Sequence, residues 1–263
     1  MSEPRHNGAL ASLHRIRLIA RHTLGEALRL RLTLLLGLVG ASLVLVALWL
    51  REFNFGTAEL KFIGDFGLGA LGFFGMLLAA LATAQLFFNE ITGGAVCCVL
   101  TRPVRRWEYI WGKFTGVAAL LALFTAALGA LVALLLMWRG AQLGAASFVV
   151  PVFLCACALQ WFKMTLVAAL TLLVCSYAGS ALFASCAGLL LALIAHLRPF
   201  ASEGGRMAWL RLWPNLALFD PDSLLASGQS SSGPVLLGLA AYWAAYVFLL
   251  GMLASYVFKH REF

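Results

Sequence analysis

Six long apolar runs dominate the chain, at 32–50, 66–88, 114–138, 152–177, 181–197 and 236–258, and a single lysine is the one charge within them. Each is close to the roughly 20 apolar residues that carry a helix across a hydrocarbon core about 30 Å thick. Barrel strands would alternate over segments of about ten residues; these runs are continuous. The pattern therefore predicts an all-α integral membrane protein with six transmembrane helices in one domain, 1–263. Only residues 178–180 separate the fourth run from the fifth, which predicts a tight helical hairpin. The first run starts after a long basic stretch and exceeds the roughly 7–15 apolar residues of a secretory signal, so the first span is expected to be retained.

Ahead of it, residues 10–31 have a helical period. Leu13, Ile16, Ile19, Ala20, Leu24, Ala27 and Leu28 share one arc, while Arg15, His22 and Arg29 line the other with Glu26 beside them. This predicts a basic amphipathic elbow helix lying along the inner membrane surface.

Composition removes the soluble alternative. Hydrophobic residues make up 62% and charged ones 11% of the 263, against about 45–50% and 25% in soluble domains. Lys and Arg are split unevenly. One side carries Arg5, Arg15, Arg17, Arg21, Arg29, Arg31, Arg102, Arg105, Arg106, Lys113, Lys259 and Arg261. The other carries Arg51, Lys61, Arg139, Arg198, Arg206 and Arg211, partly offset by Glu52, Glu59, Asp65, Glu203, Asp220 and Asp222. By the positive-inside rule both termini and the 89–113 loop are cytoplasmic, in a bacterial inner membrane. The net charge of +8 reads as anchoring to anionic membrane lipid, not as nucleic-acid binding. Cys97, Cys98, Cys155, Cys157, Cys175 and Cys186 have no histidine beside them and suit small apolar positions, so no metal site is expected.

The 89–113 loop is the most informative polar stretch. Pro103 disfavours helix at Arg102, so a short helix over 91–100 should stop there and a second should start near Val104. On composition alone this is also what an ordinary basic connector looks like. However, Glu90, Gly93-Gly94, Leu100-Thr101-Arg102-Pro103, Arg105-Arg106, Tyr109 and Gly112-Lys113 resemble the coupling region of type-2 ABC transporter permeases. Leu159-Gln160-Trp161-Phe162-Lys163, Trp213-Pro214-Asn215-Leu216 with Phe219-Asp220, and the ending Phe258-Lys259-His260-Arg261-Glu262-Phe263 resemble the same family more loosely. The branch nearest in pattern contains the permease of the nitrous-oxide-reductase copper-maturation system. The resemblance implies a half-transporter. A second permease, identical or not, would pair with this one, and each would seat a coupling helix in a separate ABC ATPase that binds ATP and Mg. A substrate would move outward. Glu90, Gly93, Gly94, Arg102, Pro103, Arg105, Arg106 and Lys113 would then serve ATPase coupling. No Gly-x-x-x-x-Gly-Lys-Ser/Thr phosphate loop occurs in the sequence, so the chain is expected to be a permease subunit without catalysis or cofactor of its own.

Within the spans, Lys163 is the one deep charge, at a cost of about 2.5–3.5 kcal/mol at a helix centre. With Gln160 it marks a substrate path or a dimer interface, unless the fourth span starts near Ala158 and Lys163 lies among the outer headgroups. Gly75 and Ala79 suit close helix packing. Arg102 or Arg105 is the expected partner of Glu90. Residues 198–235 form the largest external loop, where Trp209, Trp213, Arg206 and Arg211 suggest an interfacial helix stopped by Pro214; His196 reads as an interface residue. A membrane-embedded assembly or maturation factor without transport is the alternative. A membrane enzyme would need more convergent polar groups, and an ion-driven transporter would need intramembrane carboxylates.

Overall fold

A computed structural model of the chain describes residues 6–49, 59–92, 106–143, 150–202, 213–221 and 233–259. It is helical throughout these residues, with no strand. The helices are α1 (His6–Arg29), α2 (Arg31–Trp49), α3 (Glu59–Thr92), α4 (Arg106–Leu143), α5 (Val150–Tyr177), α6 (Ala181–Ser202) and α7 (Gly233–Lys259), with a 3-10 turn at Leu216–Phe219 before the last. Five helices, α3 to α7, are individually long and apolar enough to cross a membrane. A sixth span is reached if α1 and α2, bent by 63° at their junction, count as one. Hydrocarbon offers the backbone no hydrogen bonds, so such runs satisfy their amide groups internally as helix. Thr83, Thr125 and Thr171 follow the same logic: each hydroxyl donates to a carbonyl one turn back, at 2.5, 2.8 and 2.9 Å.

α3 and α5 form the centre. α3 packs against α2, α4, α5 and α6, while α5 also meets α4, α6, α7 and the 3-10 turn. Their interior faces combine small residues with large ones: Ala79, Ala80 and Ala84 are fully buried beside Leu78 and Phe87. The outer faces are apolar too, as lipid requires; Leu38, Leu134, Leu182, Leu237 and Tyr256 are more exposed than buried. α5 and α6 are joined only by residues 178–180, the tight hairpin expected from the sequence.

Several boundaries and placements differ from the sequence reading. α3 and α4 run 34 and 38 residues, well beyond the apolar runs 66–88 and 114–138. Their extra turns carry Asp65, Glu90, Glu108 and Lys113, whose charges no longer need to be avoided once protein partners are supplied. The hydrophobic arc of α1 is divided between the protein and the exposed surface. Ser12, Ile16, Ile19, Thr23 and Ala27 turn toward the protein, chiefly α4, while Leu13 and Leu28 are exposed. The loop expected over 198–235 is shorter, because α6 continues through Pro199 to Ser202 and α7 starts at Gly233. The interfacial helix expected around Trp209 falls on 203–212, outside the described residues. Trp213–Pro221 does not lie over the bundle; it enters it, with Leu216 and Phe219 fully buried.

Candidate functional sites

Two polar clusters are built into the apolar bundle. The first lies at the end carrying α1, the close of α3 and the start of α4, here called the basic end. Glu108, one turn into α4, is fully buried. Its carboxylate accepts from Ser12 Oγ at 2.5 Å and from Arg15 Nε and Nη2 at 3.0 and 2.9 Å. α1 comes this close because α4 offers two glycines one turn apart. A Cβ on Gly112 would lie 2.7 Å from Ile19 Cβ, and one on Gly116 would lie 2.6 Å from Thr23 Cβ and 2.9 Å from the Ala20 carbonyl oxygen. Only residues without a side chain admit this approach.

The next turn of α4 ties down α3. Lys113 Nζ sits 2.5 Å from Glu90 Oε1 and donates to the Leu86 carbonyl at 2.8 Å, and Tyr109 Oη donates to Glu90 Oε2 at 2.7 Å. Among the described residues Lys113 and Tyr109 thus hold Glu90, with His22 Nδ1 3.8 Å from its Oε1; Arg102 and Arg105, the partners expected from the sequence, lie outside the described residues. Glu90 is still in the α3 helix, directly beside α4. Arg106 reaches the other way. Its Nη1 donates to the Phe258 and Lys259 carbonyls at 3.3 and 2.8 Å, satisfying acceptors that the last turn of α7 leaves open. Tyr109 stacks on Phe258, with centroids 5.8 Å apart and planes at 18°. Of the coupling residues expected from the sequence, Glu90 and Lys113 are therefore brought together, while Arg106 turns to the end of α7. Gly93, Gly94, Arg102, Pro103 and Arg105 lie outside the described residues, as does the short helix expected over 91–100. His22, Glu26 and Glu90 place donor atoms within 4.8 Å of one another, but the Lys113 ammonium already holds the Glu90 oxygen. Cys155, Cys157, Cys175 and Cys186 are unbridged.

The second cluster lies deep in the bundle. Lys163 stands midway along the 28 residues of α5, about 20 Å from either end at 1.5 Å per residue. It is 4% exposed, enclosed by protein. Its counter-charge arrives from the segment entering between α6 and α7: Asp220 Oδ1 lies 2.5 Å from Lys163 Nζ, and Asp220 Oδ2 lies 3.8 Å from His196 Nδ1.

That entry is well anchored. Arg198 Nη1 donates to the Trp213 carbonyl at 2.8 Å, the Asn215 amide donates to Tyr242 Oη at 2.8 Å, and Asn215 Oδ1 caps the 3-10 turn by accepting from Ala217 N at 3.2 Å. Phe219 packs edge-on against Phe162, which stacks on Trp243 at 4.7 Å. Trp243 Nε1 in turn donates to Thr165 Oγ1 at 2.8 Å.

Beside this ion pair is a cavity of about 280 Å³ between α3, α5, α6 and the entering segment. Asp65, Gly69, Gly72, Gln160, Lys163, His196 and Asp220 contribute to its wall. Gln160 is buried, and its Oε1 has no hydrogen-bond partner. Sequence reasoning singled out Gln160 and Lys163; it missed Asp220, His196 and Asp65, because three separate elements bring them there. It also missed Glu108, Ser12 and Arg15, for which the Gly112/Gly116 spacing was an available signal.

Apolar exteriors, helices of membrane-crossing length and charge buried only where protein surrounds it define a multi-pass α-helical membrane protein. More particularly, residues 17–208 match the family model of the ABC-2 family transporter proteins, well over half of the chain, and the protein belongs to that family. It is accordingly a transmembrane component of an ABC transporter, of a kind that works with a separate ABC ATPase subunit and is not itself the ATPase. No curated protein matches the sequence significantly.

Proposed function

We propose that the chain is one permease half of an exporter in a bacterial inner membrane, with both termini and the 89–113 loop cytoplasmic. It would pair with a second permease and with two ATPase subunits that bind ATP and Mg. The motif likeness to the copper-maturation branch indicates kinship within the family and leaves the cargo open.

The observation that carries this reading is the stem of the 93–105 loop. The helices flanking it are tied to each other through Glu90, Tyr109 and Lys113, to α1 through Glu108, and to the end of α7 through Arg106. A force applied to that loop would reach four helices at once, as a coupling element requires. At the other end of the lever, Lys163 and Gln160 line a polar cavity fit for a place on the substrate path.

Co-expression with its ABC ATPase and reconstitution into liposomes test the proposal. Arg102→Glu and Arg105→Glu should abolish co-purification or uncouple ATP hydrolysis from transport while the unfolding temperature of the permease is unchanged. An ATPase that neither co-purifies with the wild-type chain nor changes its rate in its presence would overturn the reading.

A further inference from the structure

The cavity beside Lys163 holds more hydrogen-bonding capacity than the described residues use. Of the four buried polar side-chain atoms without a hydrogen bond among them, two belong to its wall residues: Gln160 Oε1 and His196 Nδ1. Lys163 adds spare donors. An ammonium has three N–H groups, and the hydrogen bond it makes among the described residues goes to Asp220 at 2.5 Å. Lys163 and Gln160, three residues apart, are neighbours on one face of α5, and both are 4% exposed. Spare N–H groups and an unfilled carbonyl oxygen therefore stand side by side, out of reach of bulk water. Such groups are costly to leave unmade, so an occupant that satisfies both at once is favoured over an apolar filling.

The Gln160 amide has room to turn. Its plane lies against Gly72 of α3, where a Cβ would meet Oε1, Cδ and Nε2 at 3.0, 3.3 and 3.3 Å. Because Gly72 carries no side chain and Oε1 is held by no hydrogen bond, rotation about the last side-chain bond can bring the oxygen to the cavity. At about 280 Å³ the cavity lies just below the roughly 300–1,000 Å³ of sites that enclose whole drug-sized molecules. It can take a head group, not a body. Leu68, Phe73 and Met76 continue the lining as apolar surface. Asp65, Gly69 and Phe73, one turn apart on α3, are exposed and mark the mouth. An apolar tail can leave there along Phe73, which is 58% exposed.

Hydrogen-bond direction decides which head group fits. A hydroxyl donates one hydrogen and accepts at two lone pairs, so one oxygen can donate to Gln160 Oε1 and accept from Lys163 Nζ. An ammonium only donates, and an ionised carboxylate only accepts; each leaves one of the two wall groups unfilled. We propose that this cavity binds the hydroxyl head group of an amphiphilic substrate, bridging Lys163 and Gln160. The proposal rests on the cavity being part of the substrate path and assigns the class of substrate.

The test uses the full chain in nanodiscs of neutral phosphatidylcholine, titrated by calorimetry with decanol, its methyl ether and decylamine, with empty nanodiscs subtracted. Decanol should bind saturably, one per chain. The ether, which cannot donate, and the amine, which cannot accept, should bind about tenfold more weakly, the loss of one buried hydrogen bond. In Gln160→Leu the alcohol should lose its advantage over the ether. That variant removes an acceptor that has no partner, so its unfolding temperature should not fall. Gly72→Ser, which sets a competing donor beside Oε1, should weaken decanol about tenfold as well. Equal binding of the three compounds, tighter binding of the ether or the amine, or an alcohol preference that survives Gln160→Leu would each overturn the assignment. Binding needs no ATPase, so the two readings fail separately. Absent decanol binding with intact ATPase assembly removes only the substrate class, whereas decanol binding without any ATPase assembly removes the transport path and leaves the site.

Discussion

The two buried polar clusters use similar residues to opposite ends. At the basic end, Glu108 accepts three hydrogen bonds and Glu90 is held by Lys113 and Tyr109, with helices pressed together over Gly112 and Gly116. Midway along α5, Lys163 has one carboxylate partner, carried by a short non-helical segment. Its neighbour Gln160 has an acceptor unfilled, and a cavity lies alongside. A buried charge with every lone pair satisfied locks helices as a unit. One satisfied by a single partner from a separate segment leaves a place where a ligand can complete the set. The first arrangement suits transmission of force, the second recognition.

The sharpest way to break this contrast is to remove one charge from the closed cluster. Lys113→Met leaves Glu90 buried with only Tyr109 as a strong donor, and orphaning one member of a buried pair costs about 3–5 kcal/mol. We expect a large fall in the unfolding midpoint of the purified chain. The double variant Glu90→Gln with Lys113→Met should recover much of the loss, since no charge is then left unpaired. A double-mutant coupling below about 0.5 kcal/mol would show that the two residues do not act together.

Next in size is the seat of α1. Gly116→Ala forces a Cβ against Thr23 and the Ala20 backbone oxygen, 2.6 and 2.9 Å away. Backbone cannot step aside as a side-chain tip can, so overpacking should cost about 1–3 kcal/mol and expose α1 to protease. Gly140 on the same helix has nothing within 4 Å of a Cβ, and Gly140→Ala should be neutral or gain up to about 1 kcal/mol from helix propensity. Equal effects at the two glycines would mean that α1 is not clamped.

These features differ in how far the sequence discloses them. Five of the six spans were legible because lipid imposes one solution on a long apolar run, while the run at 32–50 counts as a span only together with the helix bent against it; the 178–180 hairpin was legible because no other connection fits three residues. The helix extensions were not, since Glu108 and Lys113 look like the end of a span until Arg15 and Glu90 are known to stand opposite. The division of the arc on α1 was hidden for a related reason. Ser12 and Thr23 read as polar, yet they face the protein because small side chains are what a two-glycine groove accepts. Lys163 and Gln160 were visible as polar exceptions in an apolar run. Asp220 was not, because Pro214 and Asn215 look like a surface turn, and nothing local says that the turn is buried among Phe162, Tyr242 and Trp243.

The open cluster should respond less in stability than the closed one. Asp220→Asn leaves Lys163 without a carboxylate, but the Asp220 side chain is 29% exposed, so water reaches the site and the loss should be nearer 1–2 kcal/mol. The effect should instead appear in the entering segment. A cysteine placed at Leu218, whose side chain is 41% exposed, should react faster with a water-soluble maleimide in the Asp220→Asn background. Unchanged labelling would mean that the aromatic packing of Phe219, and not the ion pair, holds the segment.

The smallest expected effect separates the two clusters most cleanly. In the closed cluster an added atom can only collide. At Gly72 the nearest atom to a new Cβ is the Gln160 oxygen at 3.0 Å, and that oxygen has no hydrogen bond. Gly72→Ala adds crowding against a polar atom and gains helix propensity, two effects that offset within about 1 kcal/mol. Gly72→Ser adds nearly the same volume with a hydroxyl able to donate to the waiting oxygen, a bond worth about 0.5–1.5 kcal/mol net. Serine should therefore unfold at a higher temperature than alanine at this one position, although serine is the poorer helix former. If alanine equals or exceeds serine, the Gln160 carbonyl is not waiting for a donor, and the cluster around Lys163 is as closed as the one at the basic end.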